Sequence, residues 1–198
     1  MWDDVYNSDS YVYGTEPNQF LAENVQQLPQ GKVLCLADGE GRNSVFLAKQ
    51  GYQVTAVDLS QVGLAKAAKL AASQEVSVEY IHADLAEFEF GTEQWDGIVS
   101  VFCHLPSSLR QQVHQRALQG LKKNGVFLLE GYTPRQLAFG TGGPKMLDLL
   151  LEPEALASDF ADAQILHLAE VERDIIEGDK HTGTGAVVQL MAKRDACK

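Results

Sequence analysis

The sequence predicts an α/β fold: a Rossmann-like, doubly wound sheet of seven strands, mostly parallel, with helices on both faces and an antiparallel C-terminal hairpin strand. Three observations lead to this fold. Apolar runs typical of strands alternate five times with helical patterns between residues 32 and 132, the first run leads into a turn with two glycines, and two long strand-like segments follow. This alternation favours a parallel sheet that binds ligands at the carboxyl ends of its strands.

The composition narrows the classes of partner. The 198 residues are 45% hydrophobic and carry a formal net charge of −11, and the few Lys and Arg residues are dispersed. We therefore expect one domain with a small-molecule ligand, and no nucleic-acid or anionic-membrane partner. The sequence shows no membrane-length apolar run and no secretory pattern, so we expect a cytoplasmic protein that is a monomer or a homodimer.

The cysteines are interpreted as packing residues. Cys35, Cys103 and Cys197 have no metal-ligand spacing, and the first two lie inside apolar strand-like runs. We expect them to be reduced, and we expect no metal site.

The first part of the chain is predicted to be a leader to the sheet. The single domain of residues 1–198 is divided into a leader, a cofactor-binding core and a closing segment, which are residues 1–30, 31–133 and 134–198. The leader carries Tyr11 and Tyr13 beside a turn, and apolar residues then recur at helical spacing from Phe20 to Leu28. Its aromatic side chains could form a lid over a ligand or fix the leader to the core.

The first strand and the turn after it suggest a nucleotide-type cofactor. The apolar run Val33 to Ala37 leads into Gly39 and Gly41, and a helix is predicted over 44–50. Glycines let the backbone approach a ligand closely, and the helix that follows presents unpaired N–H groups to it. The alternative is that the glycines only connect a strand to a helix.

Two carboxylates follow the next two strands. Asp58 ends a strand about 20 residues beyond the glycine turn, where it is placed to accept hydrogen bonds from ribose hydroxyls or, alternatively, to cap the next helix, 62–73. Asp84 and Leu85 follow a strand over 76–81, where they could flank an adenine ring. For Asp84, the alternative is a structural role in a turn.

The remaining elements complete the sheet. A buried strand over 95–102 stops before Pro106 and leaves His104 on the ligand side. A helix capped by Ser107 or Ser108 extends to Leu121, and a turn at Asn124 leads to a strand over 126–129. A glycine-rich irregular segment, a helix over 153–160 and two strands, 164–176 and 184–193, close the chain, with His181 in the polar connection between those strands.

The order of these elements resembles the class I S-adenosylmethionine-dependent methyltransferases over nearly the whole chain. Within that superfamily, the chain is similar to the bacterial group related to the tellurite-resistance and thiopurine methyltransferases in the segments W-D-D-V-Y, Y-V-Y-G-T-E-P-N, G-E-G-R-N and A-V-D-L-S. A branch of that group resembles this chain further in L-A-D-G-E-G-R-N, F-C-H-L-P-S-S-L-R, T-G-G-P and E-R-D-I-I-E-G.

The resemblance implies S-adenosylmethionine as the cofactor and S-adenosylhomocysteine as the product. It implies that Tyr11 and Tyr13 close over the sulfonium. Contacts with the cofactor, from its methionine end to its adenine, are implied for Asp38, Gly39, Gly41, Arg42, Asn43, Asp58, Leu59, Asp84, Leu85, Phe102 and Cys103.

The sequence departs from the superfamily pattern at the glycine turn. Members usually carry an acidic residue at the position of Cys35 and a glycine at that of Ala37, whereas the acid here is Asp38. Ser44 occupies the position where a dinucleotide fingerprint has a glycine or an alanine, which weakens the reading as a dehydrogenase.

The expected reaction is an in-line displacement at the methyl carbon of the sulfonium, with a small-molecule acceptor that kinship suggests is a thiol or another soft nucleophile. A base is needed only if the acceptor is protonated, and the candidates are His104, His181 and Tyr132. A structural role is the alternative for His104, and an ordinary exposed position is the alternative for His181.

Three further charged residues have surface interpretations. Glu172 and Arg173 are read as sheet-edge charges unless a polar acceptor binds there, and Arg135 could hold an anionic acceptor or be solvated. The rival functions for the whole chain are an NAD-dependent oxidoreductase and a non-catalytic S-adenosylmethionine-binding protein.

Overall fold

A computed structural model describes residues 2–178 and 180–195 of the chain. Seven strands form one sheet in the spatial order β3-β2-β1-β4-β5-β7-β6. In chain order the strands are β1 Lys32–Leu36, β2 Gln53–Asp58, β3 Glu79–His82, β4 Trp95–Val101, β5 Leu121–Tyr132, β6 Gln164–Glu177 and β7 His181–Lys193. The first five strands are mutually parallel and β7 is antiparallel to both of its neighbours, which confirms the predicted fold.

Helices connect the strands and cover the sheet. The described α-helices are α1 Trp2–Tyr6, α2 Gln19–Asn24, α3 Arg42–Lys49, α4 Gln61–Ser73, α5 Ser107–Gly120 and α6 Pro153–Asp159. Short 3-10 helices lie at Val25–Gln27, Pro134–Ala138 and Leu147–Leu149. Within 2–178 and 180–195, no helix has the length and apolar character needed to cross a membrane.

The sheet reverses its winding direction at β1. This strand pairs with β2 on one side and with β4 on the other, so the crossover helices α3 and α5 leave the sheet in opposite directions. In open α/β sheets a crevice forms at such a point, outside the carboxyl ends of the strands. The topology therefore places the ends of β1, β2 and β4 around one candidate site.

Two apolar layers enclose the sheet. In β1, Leu34 and Leu36 face a layer that contains Phe127, whereas Val33 and Cys35 face the other layer. Cys35 and Cys103 are buried free thiols, in agreement with the prediction, and Cys197 lies outside the described residues. This alternation is what a strand buried on both faces requires.

Several element boundaries differ from the predicted ones. β3 is only four residues long. Neither serine caps α5, because its N-cap residue is Pro106 and Ser107 is already helical. The turn at Asn124 lies inside β5 with φ of 65°, because β5 already begins at Leu121, which pairs with Trp95 before the register shifts. Apolar pattern alone does not reveal such an irregular strand.

A buried ion triad joins α5 to α6. Arg110 Nε and His114 Nδ1 both donate to Asp159 Oδ2, each at 2.8 Å. Burial acts to raise the pKa of Asp159, but the hydrogen bonds from His114 and Arg110 hold it below its usual range. The carboxylate is therefore charged and balances the guanidinium in the core.

We expect Asp159→Ala to lower the free energy of unfolding by about 3 to 5 kcal/mol, because it leaves the buried Arg110 without its partner. The matched control is Glu154→Ala on the exposed face of the same helix, which should cost less than about 1 kcal/mol. Urea denaturation followed by circular dichroism measures both changes. Equal, small losses for the two variants would contradict the role given to the triad.

Candidate active site

A cavity of about 510 Å³ opens at the carboxyl ends of β1, β2 and β4 and lies beneath the leader. Of the residues predicted for the site, those that line this cavity are Tyr13, Asp38, Gly39, Arg42, Asn43, Asp58, Leu59, Asp84, Leu85, Phe102, Cys103, His104 and His181. The predicted residues Tyr11, Gly41 and Tyr132 are not part of the lining. Most of the residues predicted for the site therefore line one cavity, and their roles stay predictions.

The glycine turn is shaped by close packing. Gly39 and Gly41 have φ of 59° and 90°, and the alanine that replaces the usual first glycine, Ala37, has φ of 49°. A Cβ on Gly39 would lie 2.6 Å from Tyr6 Oη, and one on Gly41 would lie 2.6 Å from Ala67 Cβ. The missing side chain at Gly39 thus lets Tyr6 of the leader approach closely, and the one at Gly41 lets α4 approach, rather than a ligand.

Asp38 lines the cavity, and its carboxylate is bonded to the start of α3. Its carboxylate accepts from the Ser44 backbone N–H at 3.2 Å and from the Ser44 hydroxyl, so both oxygens serve the first turn of α3. Burial raises the pKa of Asp38 to about 6, with the neighbouring Asp58 acting in the same direction and the Ser44 hydrogen bonds opposing it. The structure thus gives Asp38 a capping role beside the cavity.

Asp58 links the end of β2 to the glycine turn. Its Oδ2 accepts from Gly39 N–H at 2.8 Å and its Oδ1 accepts from Ser60 N–H at 2.7 Å. Ser60, rather than Asp58, is the N-cap of α4, where its hydroxyl accepts from Gly63 N–H at 3.0 Å. The capping alternative for Asp58 is therefore wrong, and burial raises its pKa despite these bonds.

The residues predicted to flank an adenine lie together at one end of the cavity. Leu59 is 54% exposed although it is a large apolar side chain. Asp84 turns its Oδ1 back to the N–H of Ala86 at 2.8 Å, and Leu85 beside it is buried. The turn role proposed as the alternative for Asp84 is present, and Oδ2 is left for other donors.

The leader is held by two charged residues that the sequence analysis did not select, Glu40 and Lys66, here called the leader clamp. Glu40 Oε2 accepts from Val12 N–H at 2.8 Å, and its Oε1 forms an ion pair with Lys66. The Lys66 ammonium also donates to the leader carbonyls of Ser8 at 3.0 Å and Ser10 at 2.6 Å. The available signal was an acid between two glycines, in G-E-G.

Tyr11 contacts Lys66 of this clamp and does not line the cavity. Its hydroxyl donates to the Lys66 carbonyl at 3.1 Å, and the Lys66 ammonium lies 5.2 Å from its ring centroid. The predicted closure of Tyr11 over the sulfonium position is therefore corrected: its ring packs on α4, while Tyr13 alone of the two reaches the cavity.

A second buried set, here called the hairpin cluster, joins the leader, α3 and the last strands. It consists of Asn18, Arg42, Glu130, Arg173 and Glu177. Asn18 Nδ2 donates to Glu130 at 2.7 Å and to Glu177 at 2.8 Å. Arg42 Nη2 donates to Glu177 at 2.6 Å, and Arg173 forms an ion pair with Glu130. Two carboxylates and two guanidiniums thus balance each other in the protein interior.

The hairpin cluster shows that the surface interpretation was wrong for Arg173, whereas Glu172 and Arg135 do lie on the surface. Arg173 is not a sheet-edge charge, because it faces the buried Glu130. Glu172 does lie at the sheet edge, where it pairs with Arg135 on the surface. Arg135 is absent from the cavity lining, so the structure does not place it to hold an acceptor.

The end of the cavity near β4 and β7 is lined by aromatic rings. The ring centroid of Phe102 lies 4.7 Å from that of Tyr132 and 4.6 Å from that of His181. The ring centroid of Tyr13 lies 4.6 Å from that of His181. Phe102 has φ of 50°, an uncommon backbone conformation for a bulky residue. Strain of this kind is found where a structure holds a side chain at a functional site.

Both ring nitrogens of His104 are already bonded. Nδ1 donates to the Leu149 carbonyl at 2.7 Å, so Nε2 must accept, and it receives the Tyr132 backbone N–H at 3.4 Å. Burial lowers the pKa of His104 to about 4, although the Leu149 bond opposes this. His104 therefore fits the structural alternative better than the role of a base.

The prediction of an exposed His181 is wrong. His181 is the first residue of β7, is 8% exposed and lines the cavity. Burial lowers the pKa of its imidazole, while the nearby Glu177 acts to raise it. His181 is thus a neutral imidazole that lines the cavity, and it remains a candidate base.

Tyr132 lies behind this aromatic layer. It is fully buried, and its hydroxyl has no hydrogen-bond partner among the described residues. Burial raises the pKa of its phenol, with the nearby Glu177 as the next cause. A phenol that is protonated and out of contact with the cavity does not suit the predicted role as a base.

The comparisons with known proteins agree with this arrangement. Residues 33–125 match the family model described as a methyltransferase domain. An inferred methyltransferase of Geobacillus sp. (strain WCH70) is 35% identical over 141 residues, which are 63% of this chain and 56% of that protein. The chain spans about half the length of the curated relatives that it matches.

Two solved structures share the fold over nearly the whole chain. One was described with the conversion of a disulfide bond into a thioacetal group during echinomycin biosynthesis; it has a TM-score of 0.79, 19% identity, and coverage of 98% of this chain and 90% of its own. The other is TehB from Haemophilus influenzae, with a TM-score of 0.75, 18% identity, and coverage of 98% and 66%. At these identities the similarity establishes the fold.

We expect Lys66→Met to loosen the leader, because it leaves the buried Glu40 carboxylate without its counter-charge and three leader carbonyls without their donor. Chymotrypsin cleavage within the leader should accelerate about tenfold or more, since losing a buried charge partner costs more than roughly 1.4 kcal/mol. Lys69→Met, exposed on the same helix, is the control. Equal cleavage rates in the two variants would refute the leader clamp.

We expect His104→Asn to reduce the loss of stability on acidification. The pKa of His104 is about 4 in the folded protein and about 6.5 in the unfolded chain, so between these pH values only the unfolded state binds the proton. Stability therefore falls as pH falls through this window, by about 1.4 kcal/mol per pH unit.

Asparagine can keep the donor to Leu149 without titrating. The difference in unfolding free energy between pH 6.5 and pH 5 should be smaller in His104→Asn than in the wild type by about 2 kcal/mol. Asp38, with its raised pKa, acts in the opposite direction in both proteins and cancels in the comparison. The exposed His82→Asn is the control, and an unchanged pH dependence in His104→Asn would count against the neutral, buried imidazole.

Proposed function

We propose that this protein transfers a methyl group from S-adenosylmethionine to a small-molecule acceptor, since residues 33–125 match the methyltransferase domain model and the whole chain shares the fold of solved methyltransferase-like structures. One observation carries the proposal. A single cavity, where the sheet reverses its winding at β1, has carboxylates such as Asp58 and Asp84 in its lining as well as aromatic rings such as Phe102 and His181, and it lies beneath the leader. An S-adenosylmethionine-dependent enzyme needs both ends at once, one for the nucleoside and one for the reacting sulfonium.

The residues present fit this cofactor. The cavity, at about 510 Å³, has the size of a small-molecule site. Asp58 would accept from the ribose hydroxyls, since each carboxylate oxygen accepts one backbone N–H and retains a second lone pair. Leu59, an exposed apolar side chain inside a ligand site, would pack on the adenine, with Asp84 at its edge.

The sulfonium supplies an activated methyl group, so the work of the chain is to orient the reactants, exclude water and accept a proton. Tyr13 and the leader clamp would cover the reacting end, and Phe102 would form its floor. His181 is the base that we favour, because His104 has both nitrogens bonded and Tyr132 lies outside the cavity lining. The proton would pass from the acceptor to the imidazole as the acceptor attacks the methyl carbon.

We further propose that the acceptor is uncharged when it binds, such as a protonated thiol. The two arginines near the aromatic end, Arg42 and Arg173, are already paired with Glu177 and Glu130, and the remaining cation of this end among the described residues, Lys180, is an exposed side chain. Neutral imidazoles and aromatic rings instead favour a polarisable, uncharged group. The resemblance to the tellurite-resistance group and the sulfur chemistry described for one structural neighbour support a soft nucleophile.

The rival functions give different results in the same experiment. An NAD-dependent oxidoreductase is disfavoured because Ser44, at the third position of a dinucleotide fingerprint, holds Asp38 through its hydroxyl. Calorimetric titration with NAD(H) and with S-adenosylmethionine separates the two cofactors. A non-catalytic binding protein would bind S-adenosylmethionine but release no S-adenosylhomocysteine with any member of a broad acceptor panel.

We expect Asp58→Asn to weaken S-adenosylhomocysteine binding about tenfold to a hundredfold in calorimetry, because hydrogen bonds to a charged group contribute roughly 1.5 to 3 kcal/mol. The control is Asp96→Asn, a carboxylate that also accepts from a backbone N–H, that of Lys32 at 2.8 Å, but lies at the opposite edge of the sheet. Unchanged affinity in Asp58→Asn, or no binding to the wild type, would reject the proposed cofactor site.

A further inference from the structure

We propose that Glu177 is a positioning residue for His181, holding the imidazole in the tautomer whose Nε2 faces the cavity as a base. This inference rests on the proposed function, because it gives the second member of the pair that would remove the proton from the acceptor. The tautomer of the His181 ring can be measured without any acceptor.

The hairpin sets the two side chains side by side. Glu177 ends β6 and His181 begins β7, and the two residues are paired in the sheet register. His181 Nδ1 lies 4.0 Å from Glu177 Oε2. Nδ1 is buried and has no hydrogen-bond partner within the described ranges 2–178 and 180–195. The carboxylate is therefore the group of complementary charge toward which an Nδ1–H would point.

His181 lines the cavity while its Nδ1 is buried, and from this we infer that the opposite part of the ring meets the ligand site. A Cβ added to Gly142 would lie 3.1 Å from His181 Cδ2, and Gly142 lines the same cavity. Since Nδ1 is buried, the cavity is reached by the part of the imidazole that carries Nε2. A proton on Nδ1 leaves the Nε2 lone pair free, and this is the form in which a histidine acts as a base.

Glu177 itself is fixed from three directions. Arg42 Nη2 donates to Oε2 at 2.6 Å, Asn18 Nδ2 donates to Oε1 at 2.8 Å, and Arg173 Nη2 donates to Oε1 at 3.3 Å. Burial acts to raise the pKa of Glu177, but His181, Arg42 and Asn18 bring it down to about 2. The carboxylate is thus charged and immobile, as a group that orients a base must be.

Several other groups face His181. Arg42 on α3 lowers the pKa of the imidazole, and the neutral His104 lies on the far side of Phe102. The phenols of Tyr13 and Tyr132 have pKa values raised by burial and carry no charge at neutral pH. Among these groups Glu177 is the one that favours a proton on the ring.

In the proposed step the atoms balance simply. The acceptor X–H attacks the methyl carbon, an X–C bond forms, and the C–S electron pair stays on sulfur to give S-adenosylhomocysteine. The proton of X–H moves to His181 Nε2, and Glu177 stabilises the imidazolium through Nδ1–H. Product release and loss of that proton to water restore the neutral ring.

The test is nitrogen-15 NMR of the His181 imidazole in the full chain without acceptor. We expect the wild type to show the Nδ1–H tautomer. In Glu177→Gln this preference should be lost, and His181 should titrate about one pH unit lower, because a neighbouring opposite charge has been removed. Glu177→Asp keeps the charge and should restore the higher titration point in part.

The matched control is Glu130→Gln, which removes the other carboxylate of the hairpin cluster but not the one beside His181. It should leave the tautomer of His181 unchanged. If Glu177→Gln does not fold, the double variant Glu177→Gln with Arg42→Gln leaves no unpaired charge and serves for the tautomer measurement, compared with Arg42→Gln alone. An Nε2–H tautomer in the wild type, or equal effects of Glu177→Gln and Glu130→Gln, would overturn the inference.

Kinetics separate this inference from the proposed function. With an acceptor that the panel identifies, Glu177→Gln should lower kcat about tenfold and move the acidic limb of the pH profile to lower pH, with little change in the KM for S-adenosylmethionine. If the NMR result is as expected but no acceptor is methylated, the proposed function fails while the pairing stands. If methylation occurs and neither the pH limb nor kcat changes in Glu177→Gln, the positioning role fails alone.

Discussion

The structure depends on one buried set of balanced charges, the hairpin cluster. Its two carboxylates, Glu130 and Glu177, meet two guanidiniums, Arg42 and Arg173, and Asn18 donates to both acids. These side chains come from four parts of the chain: Asn18 from the leader, Arg42 from α3, Glu130 from β5, and Arg173 and Glu177 from β6. Removing one of the charged members would leave an excess of one charge in the protein interior, which is destabilising. The cluster therefore requires the leader, α3, β5 and β6 to be in place together.

This requirement explains why the acids of the glycine turn serve the protein as much as a ligand. Asp58 accepts from Gly39, Asp38 accepts from Ser44, and Glu40 holds the leader. Each hydrogen bond fixes a loop at the carboxyl edge of the sheet before any cofactor binds. A site that is already ordered loses less conformational entropy on binding, so these internal contacts favour affinity although they do not touch the ligand.

The sequence predicted the features that depend on local pattern. Alternation of strands and helices gave the seven-stranded sheet, and acids after strand ends placed Asp58 and Asp84 at the cavity. It failed where a role depends on long-range pairing. Arg173 looked like a surface charge because its partner, Glu130, is 43 residues away, and His181 looked exposed because its neighbours are polar. Tyr11 was assigned to the cavity because sequence does not say which way a ring in a leader turns. The division into leader, core and closing segment remains a prediction.

The aromatic end of the cavity shows how burial selects chemistry. Phe102 is held in an uncommon backbone conformation beneath Tyr13, and His104 and His181 are buried beside it. Burial disfavours the charged imidazole, so both histidines are neutral at pH 7. Both ring nitrogens of His104 are bonded, to the Leu149 carbonyl and to the Tyr132 N–H. Of these two histidines, His181 is therefore the one with a nitrogen available for a ligand. The burial that keeps the His181 imidazole neutral also lowers its pKa, and so makes it a weaker base. The Glu177 carboxylate beside the ring acts to raise that pKa. In the proposed reaction, the sheet register that pairs Glu177 with His181 would therefore serve the chemistry as well as the fold.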